Sequence, residues 1–219
     1  MSVRPSGEGP AVYVDLDDVL ANTTRQIVAR LNRDFQRSVR FEDLSSFDLI
    51  ECFSIDPARR AEVMQAVHEP EFLGALPERS GARSVLERWQ VAGAHVSVVT
   101  GRPPSALGAS RAWLAAREIP HHTLHCVDKY GRYAGDEGHI ARDAIEPAAY
   151  AIAVEDSLDM ACYLAQGGTE LVLLMDRPWN RAVPKLPDRA RARLRRVAGW
   201  REIAAVSREI EARWGRSRP

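Results

Sequence analysis

Lysine is almost missing from this chain: Lys129 and Lys185 stand alone among 30 basic residues, the rest being arginine. A position open to either cation would carry arginine here, so each lysine is a candidate for a role that a compact ammonium fills better than a planar guanidinium. Cysteine is scarce too. Cys52, Cys126 and Cys162 are odd in number, scattered and without CxxC spacing, which excludes a disulfide framework and a thiolate metal site and leaves them as small apolar residues. Net charge is lacking, at formal zero with a pI near 7, so no global field recruits nucleic acid or an acidic membrane. No apolar run approaches the roughly 20 residues of a membrane span, and the opening MSVRPSGEGP has no apolar stretch of the signal-peptide kind. The expectation is a soluble, cytoplasmic protein without internal repeats.

What is present is a core. With 219 residues, 45% of them hydrophobic, the chain suits one domain, or one core with a modest insertion. A short apolar run, AVYV from Ala11, opens the pattern as a strand. Ile27, Val28, Leu31 and Phe35 then share one helical face. Asp56 and Pro57 signal another helix start, with Val63, Met64 and Val67 facing inward. From Ser80 onward helices alternate with strands: a helix over Val85, Leu86 and Trp89, the strand HVSVVT, a helix from about Ser105 to Arg117, then HTLHCVDK, AIAVEDS and ELVLLMDRP. Such repetition predicts an α/β fold, a parallel sheet with helices on both faces. The 23–78 stretch is too long for an ordinary βα loop of about 2 to 6 residues. It is expected to form a small, mainly helical cap, with 1–22 and 79–219 as the core. The ends, before Ala11 and after Trp214, read as flexible.

Chemistry concentrates at the strand tips. Ala11 to Asn22 reads AVYVDLDDVLAN, and three anions as close as Asp15, Asp17 and Asp18 repel unless a cation holds them. In an open α/β sheet ligands bind at the carboxyl ends of strands, and alternation along an extended chain sends Asp15 and Asp17 the same way. The second strand ends in Thr100 and Gly101, the third is followed by Lys129, and the fourth ends in Glu155 and Asp156. If the sheet is parallel, all four sets meet at one edge, and they are the groups that phosphoryl transfer needs. Magnesium prefers oxygen ligands, which Asp15 and Asp156 can supply. Asp15 is placed to attack phosphorus, Asp17 to serve as general acid and then base, Thr100 and the Gly101 N–H to hold phosphate oxygens, and Lys129 to neutralise charge.

The stretches DLDDV, VVTG, Lys129 and VEDS together resemble the four motifs of the haloacid dehalogenase superfamily of phosphatases, from Ala11 to about Asp176. The resemblance implies a Rossmann-like core, an aspartyl-phosphate intermediate and Mg2+ bound by Asp15, the backbone carbonyl of Asp17 and Asp156, with Glu155 as neighbour or alternate ligand. DLDDVLANT, LLMDRPWNR and RVAGWREI are similar to the 5'(3')-deoxyribonucleotidase-like branch, which implies a nucleoside 5'-monophosphate as substrate. Asp18 stands where many members carry glycine, and VVTGRP departs from the usual second motif of that branch.

Other signals compete. Arg142 rivals Lys129 as the cation. His121, His122 and His125 read as solvated strand-edge residues, since nothing is spaced to complete a zinc site. Arg189 to Arg196 reads as a solvated helix face, not a nucleic-acid contact. Trp200, Ile203, Val206, Ile210 and Trp214 form a helical stripe for the core. Phe41, Phe47, Phe53 and Phe72 either fill the cap or stack on a flat leaving group. The expected partner is a small phosphorylated substrate, with neither membrane nor nucleic acid, and no signal sets an oligomeric state. The alternatives to a nucleotidase are a phosphatase of sugar or other metabolite phosphates, a phosphoryl transferase, a polynucleotide end phosphatase and a non-catalytic phosphate-binding protein.

Overall fold

The computed structural model describes residues 9–46, 52–132, 138, 140–183 and 185–214. Phe47, both chain ends and most of the segment between Arg132 and Ile140 lie outside the described residues. Among the described residues seven strands form one sheet: β1 (Ala11–Val14), β2 (His95–Thr100), β3 (Thr123–Asp128), β4 (Ile140–Ala141), β5 (Tyr150–Glu155), β6 (Leu171–Met175) and β7 (Leu194–Val197). Their order is β4-β3-β2-β1-β5-β6-β7, and every pairing is parallel. The described helices are α1 (Thr23–Asp34), α2 (Arg60–Ala66), α3 (Pro70–Ala75), α4 (Ala82–Val91), α5 (Leu107–Ala116), α6 (Leu158–Gly167), α7 (Asp188–Arg191), α8 (Trp200–Val206) and α9 (Arg208–Trp214). The α/β expectation holds.

The sheet divides the core into two layers, as the period-2 side-chain alternation requires. Val12, Val14, Val96, Val98, Ile152 and Val154 pack on one face with Leu86, Trp113 and Trp200, while Tyr13, Val99, Ala153 and Leu174 pack on the other with Met160 and Leu164 of α6. Strands covered on both faces are near-continuous apolar runs, which is why they were legible. The chain leaves β1 for β2 on one side, and β5 returns on the other. β1 is therefore the switch point of the topology, where ligand crevices open.

Between β1 and β2, a third cluster forms from Val28, Leu31, Leu44, Phe53, Ile55 and Val63, with Phe41 and Trp179 packed against it. Leu73 and Leu76, at the end of the same stretch, join the main core instead. The stripe of Trp200, Ile203, Ile210 and Trp214 is buried as expected, on two consecutive short helices.

Two expectations need correction. The arginine-rich stretch is only briefly helical, in α7, and Leu194–Val197 is the edge strand β7, paired to β6. Adjacent Arg195 and Arg196 obscure its alternation, and charge on an edge strand is a common guard against further pairing. Nor is the histidine group merely solvated. His122 Nδ1 accepts the Val96 N–H at 3.0 Å, and its ring stacks on His95 at a centroid distance of 4.4 Å.

The C-terminal helix is fastened to α4 by Glu211. Its carboxylate accepts from Arg88 Nε and Nη2 at 2.8 Å each, Trp89 Nε1 at 2.7 Å and Ser207 Oγ at 2.5 Å. Burial alone would raise this carboxyl, but the Arg88, Ser207 and Trp89 hydrogen bonds outweigh it and hold it below the ordinary glutamate range. Its contribution is therefore complete at neutral pH and fades only as pH falls through the depressed folded value. Glu211→Gln is expected to cost about 2 kcal/mol at pH 7, because charge-assisted bonds are lost. Urea unfolding of the two proteins at pH 7 and pH 4 checks this: the gap should narrow at the lower pH.

Candidate active site

β1 ends at Val14, and the chain is still extended when Asp15 N–H bonds to the Val154 carbonyl at 3.0 Å. The next turn is tight. Leu20 and Ala21 N–H both bond to the Leu16 carbonyl, and Asp18 takes a left-handed φ of 57°. A left-handed φ favours glycine, and the neighbours explain the aspartate. Asp18 accepts from Thr24 N at 3.0 Å and from Thr24 Oγ1 at the start of α1, and pairs with Arg79 at 3.2 Å. Arg177 Nη2 reaches its backbone carbonyl at 2.5 Å. Asp18 thus ties the β1 tip to α1 and to the loop after β6.

The four predicted strand tips do meet. Lys129, just past β3 and 1% exposed in its side chain, places Nζ 2.5 Å from Asp15 Oδ1 and 2.6 Å from Glu155 Oε1. Glu155 also accepts from Tyr13 Oη at 2.8 Å and, through Oε2, from the N–H groups of Asp156 and Ser157. Carboxylate oxygens of Asp15, Glu155 and Asp156 lie within 4.8 Å of one another. Arg142, the rival cation, instead pairs with Asp159 at 2.8 Å at the surface.

Asp17 turns toward a residue the sequence reading missed. Arg102 Nη2 and Nε approach its carboxylate at 2.6 and 2.9 Å, and Arg102 Nη1 donates to Ser110 at 2.9 Å. Thr23 Oγ1 donates to Asp17 at 2.5 Å. Thr100 is fully buried, its hydroxyl accepting the Arg102 N–H at 3.2 Å, while Gly101 stands in the cavity wall. A Cβ on Gly101 would lie 3.4 Å from the Tyr130 ring and 3.5 Å from Lys129 Cδ. The signal for Arg102 was its place directly after the Thr-Gly pair, hidden in a chain where arginine is common.

Asp15, Asp17, Gly101, Arg102, Lys129 and Asp156 line a cavity of about 130 Å³ together with the apolar Ile27 and Leu31 from α1 and Val63 and Met64 from α2. Trp179 joins the two parts. Its Nε1 donates to Asp156 Oδ2 at 3.1 Å, and its ring meets Phe41 edge-on at 5.5 Å. Phe53 is buried in the same cluster and Phe72 packs against the main core, so neither lines the cavity.

The electrostatics ask for a cation. Burial pushes the Asp15 carboxyl up to about 8, with Lys129 opposing and Glu155 and Asp17 adding. Burial, then Asp15 and Glu155, raise Asp156 well above the carboxylate range. Asp17 differs: burial would raise it, but the Arg102 guanidinium and its hydrogen bonds prevail and hold it below the usual range. A buried set of carboxylates in excess of its lysine, offering only oxygen donors, fits a hard divalent ion such as Mg2+.

Known proteins resemble this chain in sequence and in fold. Over 175 residues the chain is 26% identical to the protein named "Putative nucleotidase BH1399" from Halalkalibacterium halodurans, covering 80% of this chain and 81% of that protein. The fold is shared with CbbY from Rhodobacter sphaeroides, solved with phosphate, at a TM-score of 0.59 and 17% identity over 89% of this chain and 96% of the other. A haloacid dehalogenase family hydrolase from Deinococcus radiodurans R1, solved with phosphate and sodium, gives 0.58 and 16% over 94% and 98%. Residues 9–136, which carry the Asp15 loop, the α1–α3 segment, Thr100 to Arg102 and Lys129, match the family described as 5' nucleotidase, deoxy (pyrimidine), cytosolic type C. With that match spanning more than half its length, over a parallel sheet whose tips gather these carboxylates and one lysine, the chain belongs to the cytosolic type C 5'-nucleotidase family of haloacid dehalogenase superfamily phosphatases.

Proposed function

We propose that the protein is a Mg2+-dependent phosphomonoesterase that acts through an aspartyl phosphate, with the 23–78 segment as a cap selecting a small substrate, foremost a nucleoside 5'-monophosphate. The observation that carries this reading is the convergence of Asp15, Lys129 and Asp156, from three separate strand tips, in the lining of one cavity.

In the first half-reaction an Asp15 carboxylate oxygen attacks phosphorus, the bond to the leaving oxygen breaks, and Asp17 gives that oxygen a proton. In the second, Asp17 takes a proton from water, whose oxygen attacks the same phosphorus and releases inorganic phosphate from Asp15. Lys129, fixed between Asp15 and Glu155, offsets the charge gathered on the transferred group. The Gly101 N–H holds a phosphate oxygen, and Thr100 supports the turn that presents it. Mg2+ would be held by the Asp15 and Asp156 carboxylates and the Asp17 carbonyl, and it supplies charge neutralisation between an anionic nucleophile and an anionic ester. The four hydrogen bonds that Glu155 already accepts favour Asp156 over it as the ligand. Arg102 and Thr23 hold Asp17 in the base form, which the second half-reaction uses; the acid form that the first half-reaction needs is the minor one, so that step should weaken as pH rises.

A panel of phosphomonoesters assayed with Mg2+ and with a chelator tests the reading. Hydrolysis should be fastest for nucleoside 5'-monophosphates, fall at least about 100-fold on chelation and return with added Mg2+. A sugar phosphate at the head of the ranking would move the substrate class. Nucleotide binding without hydrolysis of any ester would make the chain a non-catalytic binding protein.

A further inference from the structure

Trp179 sits on a single helical turn, Pro178–Asn180, that follows β6 and belongs to none of the strand-tip motifs. Its indole Nε1 lies 3.1 Å from Asp156 Oδ2. An indole nitrogen only donates, so the direction of this bond is fixed. Among the described residues it is the one hydrogen bond that the Asp156 carboxylate accepts. One oxygen is thereby engaged and the rotation of the carboxylate set, while an Asp156 oxygen lies within 4.8 Å of oxygens of Asp15 and Glu155.

The turn that carries the indole is tied to the residue the indole meets. Asn180, fully buried, donates from Nδ2 to the Asp156 and Met175 carbonyls at 2.7 Å each and accepts the Arg177 N–H at 3.2 Å. Arg196, from β7, donates to Asn180 Oδ1 and to its carbonyl at 2.5 and 2.7 Å. One amide therefore joins the backbone of Asp156 to the backbone beside Trp179, and indole and carboxylate share a frame. The Trp179 ring also meets Phe41 edge-on at 5.5 Å, against the apolar cluster of the 23–78 segment. Packing of that kind asks for an aromatic ring and nothing more. What indole has and a benzene ring lacks is the N–H, and it goes to Asp156.

We propose that Trp179 is a positioning residue for the divalent cation, its indole N–H holding Asp156 Oδ2 so that the other oxygen is left to ligate the ion. A donor on the unligated oxygen fixes a carboxylate before the cation arrives, which strengthens binding. The inference rests on the Mg2+ reading of the site and concerns affinity for the ion, not the chemistry on phosphorus.

The test is direct binding of Mg2+ and Mn2+, without substrate, to the full-length parent, Trp179→Phe and Phe41→Leu, by titration calorimetry and by the electron paramagnetic resonance of free Mn2+. Both substitutions thin the same apolar cluster, so both should lower the metal-free melting temperature by comparable amounts. Trp179→Phe alone should raise the dissociation constant for the ion, by about 10- to 100-fold, as loss of a group that orients a ligand typically does. Its kcat should return most of the way to the parent value at saturating Mg2+. If both variants bind the ion as the parent does, Trp179 only fills the cluster, and the inference is overturned. Equal weakening in both overturns it too, because the effect then comes from packing and not from the N–H. Should Trp179→Phe fail to fold, the 15N-labelled parent decides. Trp179 is the tryptophan lining the cavity, so Mn2+ should broaden its indole N–H signal before any other, and Mg2+ should shift that same signal. Indole signals unmoved by saturating Mg2+ overturn the inference. A parent that binds neither ion removes the Mg2+-dependent reading itself, a result distinct from parental binding that the variants leave unchanged.

Discussion

Asp15→Asn should lower kcat for an aryl phosphate at saturating Mg2+ by at least about ten-thousand-fold, the largest effect expected of any single change here. Asparagine matches aspartate in shape and removes only the anionic oxygen that would attack phosphorus. The surroundings make this a clean experiment. Asp15 sits in a site that resists its ionisation, because burial pushes its carboxyl to about 8. A carboxyl raised in the folded state costs stability as pH climbs above its unfolded value, so the neutral amide should leave the fold at least as stable at pH 7 to 9. Lys129 keeps Glu155 as a partner at 2.6 Å. Turnover and thermal unfolding, measured together, separate the outcomes: activity lost with stability kept or gained supports the nucleophile. Turnover comparable to the parent would sink the aspartyl-phosphate mechanism.

Lys129→Met ranks second, and it should act on both folding and chemistry. The ammonium is buried between two carboxylates, so its removal leaves Asp15 and Glu155 facing each other without a counter-charge. Breaking a buried pair in this way typically costs about 3 to 5 kcal/mol. Loss of a cation beside the transferred phosphoryl should reduce kcat by roughly 100- to 1000-fold. Mg2+ would replace part of the missing charge, so its addition should raise the melting temperature more in the variant than in the parent. Arginine is a poor substitute, because Nζ fits between two carboxylates while lying 5.3 Å over the Tyr13 ring, a space shaped for a point charge. Calorimetry with and without Mg2+ checks the prediction. A variant as stable and as active as the parent would assign the neutralising role to Arg102.

The two experiments probe groups of unequal legibility. Asp15, Asp17 and Asp156 are legible only together with the other strand ends, because an aspartate at a single strand end is more often a turn or helix cap. Lys129 is visible because lysine is rare here, yet choosing it over Arg142 required the ion pairs. Arg102 stayed hidden because one arginine among so many carries no local signal, although two of its nitrogens hold Asp17 and the third donates to Ser110. Trp179 was silent for a different reason: it matters through a partner distant in sequence, Asp156. β7 was misread because an edge strand is defined by its neighbour more than by its own pattern.

By itself the sequence determined the layered α/β architecture, the buried strands and the residues at their tips, since hydrophobic period and strand ends are local properties of the chain. Tertiary structure alone decided which cation faces Asp15, why Asp18 occupies a left-handed turn, and which side chains from the 23–78 segment look into the cavity. Those outcomes depend on charges and apolar surfaces that come within a few ångströms only after the sheet has formed. Pairing across such distances leaves no periodic trace in the residues that take part.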